Sequence, residues 1–120
     1  MAQSRSAMGA EAERRVAQFL TDKYAYRIVE RNYRSRFGEV DIIAEEGDVL
    51  CFVEVRTRTS SRYGEALETV NAQKRRRISL SAHQYLVTRG LEHRACRFDV
   101  VTVQDGGEPQ LLRDAFELDE

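Results

Sequence analysis

Residues 38–56 read Gly38-Glu39-Val40-Asp41-Ile42-Ile43-Ala44-Glu45-Glu46-Gly47-Asp48-Val49-Leu50-Cys51-Phe52-Val53-Glu54-Val55-Arg56. Two apolar runs flank a tight-turn signal, Glu46-Gly47-Asp48. Residues 40–44 read as one strand and 49–56 as the next. So short a link pairs them antiparallel as a hairpin. The second of these strands is apolar on both faces, because Cys51, Val53 and Val55 alternate with Leu50 and Phe52. A strand buried on both faces is central in its sheet.

Three charges break that pattern. Glu54 and Arg56 fall on the face of Leu50 and Phe52, and Asp41 stands among Val40, Ile42 and Ile43. Buried charge is very costly unless it is paired or holds a metal. The spacing allows both outcomes. In one, the carboxylates pair with Arg56 or another arginine. In the other, neighbouring strands aim Asp41 and Glu54 at one spot, with Glu13 of a preceding helix as a third carboxylate. Oxygen donors of that kind suit a hard cation such as Mg²⁺, which binds through one or two carboxylates plus waters and phosphate. Such a cation polarises a phosphoryl group, activates water and stabilises the leaving oxygen.

The flanking chain supplies the other layers. Ala12, Val16, Phe19, Leu20 and Lys23 recur at helical spacing and predict a helix over residues 9–24. Glu13 lies beside that stripe, half buried. Residues 26–34 form a strand, and Phe37-Gly38 a turn. Residues 57–69 form a polar loop. Asn71 or a neighbour caps a second helix that runs to about residue 89, with Ile78, Ala82, Tyr85 and Leu86 as its apolar face and Gly90 as its stop. Residues 96–103 are a further strand and 110–112 a short edge strand. Residues 114–120 are expected to fray. The order is helix, three strands, helix, one or two strands: an α/β sandwich with a mixed sheet between helices.

Composition narrows the class. The chain has 120 residues, 42% hydrophobic and 32% charged, with one proline, which suits one globular domain and excludes a disordered or collagen-like chain. Residues 1–8 are read as a flexible start, 9–116 as the domain and 117–120 as an acidic tail. No apolar run reaches the roughly 20 residues of a membrane helix, and the N-terminus lacks a signal core. A cytoplasmic protein is expected. Cys51 and Cys96 read as two reduced core thiols. Net charge is −1, yet residues 105–120 hold six acids and Arg113 alone, leaving 18 basic and 14 acidic groups before them. The chain as a whole lacks the strong positive balance of a non-specific DNA binder.

Gly38-Glu39-Val40-Asp41-Ile42-Ile43-Ala44 followed by Phe52-Val53-Glu54-Val55-Arg56-Thr57-Arg58 resembles the paired motif of the bacterial YraN-like family. Gly9 with Glu13 and Leu20, Arg31-Asn32-Tyr33-Arg34, Lys74 with Ile78, Ala82 and Tyr85-Leu86, Arg97-Phe98-Asp99-Val100-Val101 and Arg113-Asp114-Ala115-Phe116 extend the likeness over residues 9–116. That family is assigned to the PD-(D/E)xK nuclease superfamily and is similar to Holliday junction resolvases. The resemblance implies a restriction-endonuclease-like three-layer sandwich with a helix-β-β-β-helix-β core. It implies a Mg²⁺- or Mn²⁺-dependent nuclease acting on DNA, branched DNA included. Asp41 and Glu54 take the metal positions, and Glu13 matches the helix glutamate that often joins the site. Glu39, two residues from Asp41, is a further ligand or a rim charge.

The superfamily's lysine falls at Arg56. Arginine stays charged and cannot act as a base, although it can stabilise charge on phosphorus or neutralise Asp41 and Glu54. The resemblance offers a substitute. Some members take the lysine from the following helix, where Lys74 lies one turn before Ile78. The alternative to a nuclease is a non-catalytic nucleic-acid-binding protein with a degenerate site. A phosphate-tracking rim is expected from Arg34, Arg36, Arg58, Arg62, Arg75 and Arg76, and a homodimer by analogy with the resolvases. A protein-interaction role for the acidic C-terminal segment is a third reading.

Overall fold

The computed structural model describes residues 7–58, 71–104 and 107–116; the readings placed on residues 1–6, 59–70 and 117–120, Arg62 among them, lie outside these. Helix α1 spans Ala7–Tyr24, strand β1 Arg27–Ser35, β2 Gly38–Glu46, β3 Val49–Arg58, helix α2 Ala72–Thr88, β4 Cys96–Gln104 and β5 Gln110–Phe116. The five strands form one sheet in the order β1-β2-β3-β4-β5. β3 and β4 run parallel, and the other neighbours are antiparallel. The mixed α/β architecture and the central place of β3 match the sequence reading.

Period-2 alternation separates two cores. Leu50, Phe52, Ile43 and Phe98 meet Ile78, Ala82 and Tyr85 of α2 on one face. Cys51, Val53, Ile42 and Val101 meet Val16 and Leu20 of α1 on the other. Cys51 is a buried free thiol, and Cys96 is only half buried at the edge of the α2-side core.

Local chemistry sets the element ends. The Asn71 side chain accepts from the Lys74 amide at 2.9 Å and starts α2. At the other end Gly90 takes φ 67°, its amide bonds the Val87 carbonyl and the Leu91 amide bonds Leu86, the paired closure that only a left-handed residue permits. α1 ends with Ala25 at φ 61°, whose amide reaches Thr21 at 3.1 Å.

Four expectations need correction. β5 does not stop at residue 112. It continues to Phe116, whose ring stacks on Phe98 at 4.8 Å, so residues 114–116 are held rather than frayed. Glu13 is 2% exposed, fully rather than half buried. Lys23 leaves the apolar stripe of α1 for solvent, its ammonium lying 5.7 Å from the Phe19 ring centroid. The first turn also shifts: Arg36 and Phe37 form it, and Gly38 already opens β2.

Candidate metal and nucleic-acid site

The β2–β3 ladder pairs Ile42 with Val53, and Cα partnering stops there on the side of Asp41 and Glu54. Beyond that point the Asp41 side chain takes over from the backbone. Its Oδ2 accepts the Val55 amide at 2.8 Å. Strand divergence therefore leaves a donor that the carboxylate satisfies, and it opens a cleft at this end of the sheet.

Two adjoining cavities of about 230 and 150 Å³ share Glu39, Asp41, Glu54 and Lys74. The larger reaches α1 through Gly9, Ala12 and Glu13 and includes Arg56. The smaller reaches under α2 to Arg77 and Ile78, past Gly38. Asp41, Glu54, Glu13, Arg56 and Lys74 thus line one cleft, as their sequence positions suggested.

Glu54 is 5% exposed at the centre of it. Its Oε2 lies 3.0 Å from Lys74 Nζ and 3.4 Å from Arg56 Nη1. Burial pushes its carboxyl up to about 7 and the Asp41 charge adds to the rise; Lys74 and Arg56 oppose it. Lys74 is carried there by the first turn of α2, and its side chain is only 38% exposed.

Both alternatives left open by the spacing are visible at Glu54. It pairs with Arg56, and it shares a cleft with a second carboxylate. Among the described residues no three His, Cys, Asp or Glu side chains come close enough together to hold a metal. A hard cation that keeps most of its waters needs only one or two carboxylates. Asp41 and Glu54 fit that requirement in donor chemistry and in position, and Glu13 closes the α1 side of the same cleft.

The rim is basic. Arg34 lies 3.9 Å from Glu39, and Arg36 rests 5.0 Å from the Phe37 ring. Arg76 is exposed and Arg75 half buried at the start of α2. Arg58 ends β3. Arg77, the last of the basic run Lys74-Arg75-Arg76-Arg77 that opens α2, also lines the cleft, three residues from Lys74 on one helix face.

The Arg-Phe-Asp and Arg-Asp matches have a different place. Asp99, fully buried, accepts from Tyr26 Oη at 2.7 Å, from Arg97 Nε at 2.9 Å and from the Asp114 amide at 2.9 Å. Arg97 also bonds Glu46, and Arg113 grips Glu46 at 2.6 and 2.9 Å. This network ties β5 and the start of β1 to the α1-side core. None of its members lines the cleft.

Residues 12–103 match the family described as Uncharacterised protein family UPF0102. The chain belongs to the UPF0102 family. It is similar to UPF0102 proteins of Symbiobacterium thermophilum (48% identity over 104 residues, 87% of each chain) and Moorella thermoacetica (47% over 103 residues, 86% and 85%). A UPF0102 protein of Rhodococcus jostii is 47% identical over 114 residues, 92% of this chain and 96% of that one. The resemblance to YraN-like proteins, drawn from the paired motif, is a resemblance to this UPF0102 family. The matched span runs from Ala12 on α1 to Val103 on β4 and so includes both carboxylate strands. No helix among the described residues is long and apolar enough to cross a membrane.

Proposed function

We propose that this UPF0102 protein is a divalent-metal-dependent nuclease that hydrolyses phosphodiester bonds in DNA, branched DNA included. The observation that carries the reading is Lys74 Nζ at 3.0 Å from Glu54, in a cleft that Asp41 also lines. Two carboxylates on diverging strands, with an ammonium beside them, suit a phosphate undergoing attack by water.

Asp41 and Glu54 would hold Mg²⁺ or Mn²⁺, with Glu13 completing the wall on the α1 side. The chemistry such a cation supplies when bound is polarisation of the phosphoryl oxygen and a lowered pKa of its water. The residues do the rest. Asp41 Oδ2 is fixed by the Val55 amide, which holds the carboxylate in one orientation. Glu54 must lose its proton to serve. Lys74 can take the water's proton or stay charged beside the phosphorus; Arg56 can only stay charged. Both cations offset the charge that builds on the phosphoryl oxygens. The basic residues on the turn and on α2 bind the flanking phosphates. A homodimer would suit a four-way junction, which has two strands to cut, and a cytoplasmic location suits both DNA and free thiols.

The contact between Arg56 and Glu54 favours a second reading, in which the two cations replace the metal's charge and the protein binds nucleic acid without cutting it. Calorimetry with Mn²⁺ separates the two. The nuclease reading expects one cation per chain, lost in Glu54→Gln. DNA binding without any cation uptake would favour the degenerate site.

A further inference from the structure

Phe37 occupies, with Arg36, the two-residue turn between β1 and β2. Neither turn residue has a positive φ, so the preference of primed turns for Gly, Asn and Asp does not apply and the backbone admits an aromatic ring. Among the described residues Phe37 is also the one aromatic that packs into neither core. Phe37 is half buried, outside both cores, with part of its surface open to solvent.

The turn is clamped to α2. The Phe37 amide donates to Ser35 Oγ at 3.0 Å, and Ser35 Oγ lies 2.8 Å from Ser81 Oγ. Gly38 passes so close to α2 that a Cβ there would stand 3.5 Å from Arg77 Cβ. The turn that carries the ring is thus held rigidly, and Gly38 and Glu39, next along the chain, line the cleft of Asp41, Glu54 and Lys74. The Arg36 guanidinium lies 5.0 Å from the ring centroid.

From this placement we infer that Phe37 is a stacking platform for an unpaired base next to the phosphate held in the cleft. The inference rests on the nucleic-acid reading and deepens it. An aromatic face binds a base whatever its sequence, and a guanidinium beside it supplies the charge for the adjoining phosphate. A base inside a continuous duplex is already stacked on both sides and has no free face to offer. The platform selects DNA in which a nucleotide is open: a fork, a flap or the centre of a junction.

The test compares binding to a forked DNA and to its fully paired duplex, without divalent metal so that nothing is cut. The forked DNA carries 2-aminopurine at the first unpaired position. Wild type should prefer the fork and quench the probe on binding. Phe37→Leu, which keeps volume and loses the aromatic face, should bind the fork about tenfold more weakly with duplex affinity unchanged. Phe37→Tyr should restore both the preference and the quenching. Equal fork binding by wild type and Phe37→Leu would overturn the platform and leave DNA binding intact. If wild type binds neither DNA, the nucleic-acid reading falls and the platform with it.

Discussion

Lys74 Nζ lies 3.0 Å from Glu54 Oε2, across the cleft between α2 and β3. That contact places an ammonium where the strand motif supplies only Arg56. It also means that Lys74 and a cation compete for one carboxylate. Lys74→Met should therefore bind Mn²⁺ at pH 8 at least as tightly as wild type. It should lose cleavage by about a hundredfold or more, because the charge facing the phosphoryl group is gone. Arg56→Met, measured beside it, should lose less. Single-turnover rates at saturating metal check this, and full activity in Lys74→Met would remove Lys74 from the chemistry.

Asp41 carries two tasks that substitution can separate. Its Oδ2 accepts the Val55 amide, so Asp41→Ala leaves a donor without its acceptor at a cost of about 1–3 kcal/mol. Asp41→Asn keeps an oxygen for that amide and removes the charge. The expected result is a lower melting temperature for Asp41→Ala, a near-normal one for Asp41→Asn, and loss of cation binding in both. Thermal melts and calorimetry read the two effects independently.

Cation uptake should depend on pH around neutrality. Burial and the Asp41 charge push the Glu54 carboxyl up to about 7. Below that value an incoming cation must displace a proton, so affinity weakens as pH falls. Between pH 8 and pH 6 the apparent Mn²⁺ affinity should drop by up to about tenfold, with proton release on binding. An affinity flat across that range would place Glu54 outside the metal site.

Acid stability should report the other polar cluster. Hydrogen bonds from Arg113, with Arg97 behind it, hold the Glu46 carboxyl down at about 2. A depressed folded-state value stabilises the fold above the unfolded value of about 4.3, and that stability is lost as pH falls towards 2. Glu46→Gln should cost about 2 kcal/mol at pH 7 and make the acid loss shallower between pH 5 and pH 2, with cleavage unchanged. Urea melts at several pH values measure it.

Much of the architecture was legible because it rests on local rules. Period-2 alternation marked β3 as central, Gly47 marked the hairpin, and Asn71 and Gly90 bounded α2. The carboxylates of the cleft were legible as violations of that alternation. What was missed depends on distant partners. Residues 114–116 look like a polar tail until Phe116 is seen stacked on Phe98. Asp99 and Arg97 read as motif residues, yet Tyr26, Glu46 and Arg113, scattered along the chain, are what give them a structural role. Glu13 looked half buried because helical periodicity cannot show that the end of the sheet closes over it.

The most direct test is cleavage of a labelled four-way DNA junction in Mn²⁺, with wild type beside Asp41→Asn. Wild type should cut the junction in a metal-dependent way and Asp41→Asn should not, although both bind it. Binding by wild type with no cutting in Mn²⁺ or Mg²⁺ would contradict the nuclease reading, and would leave Lys74 and Arg56 as the permanent counter-charges of Glu54.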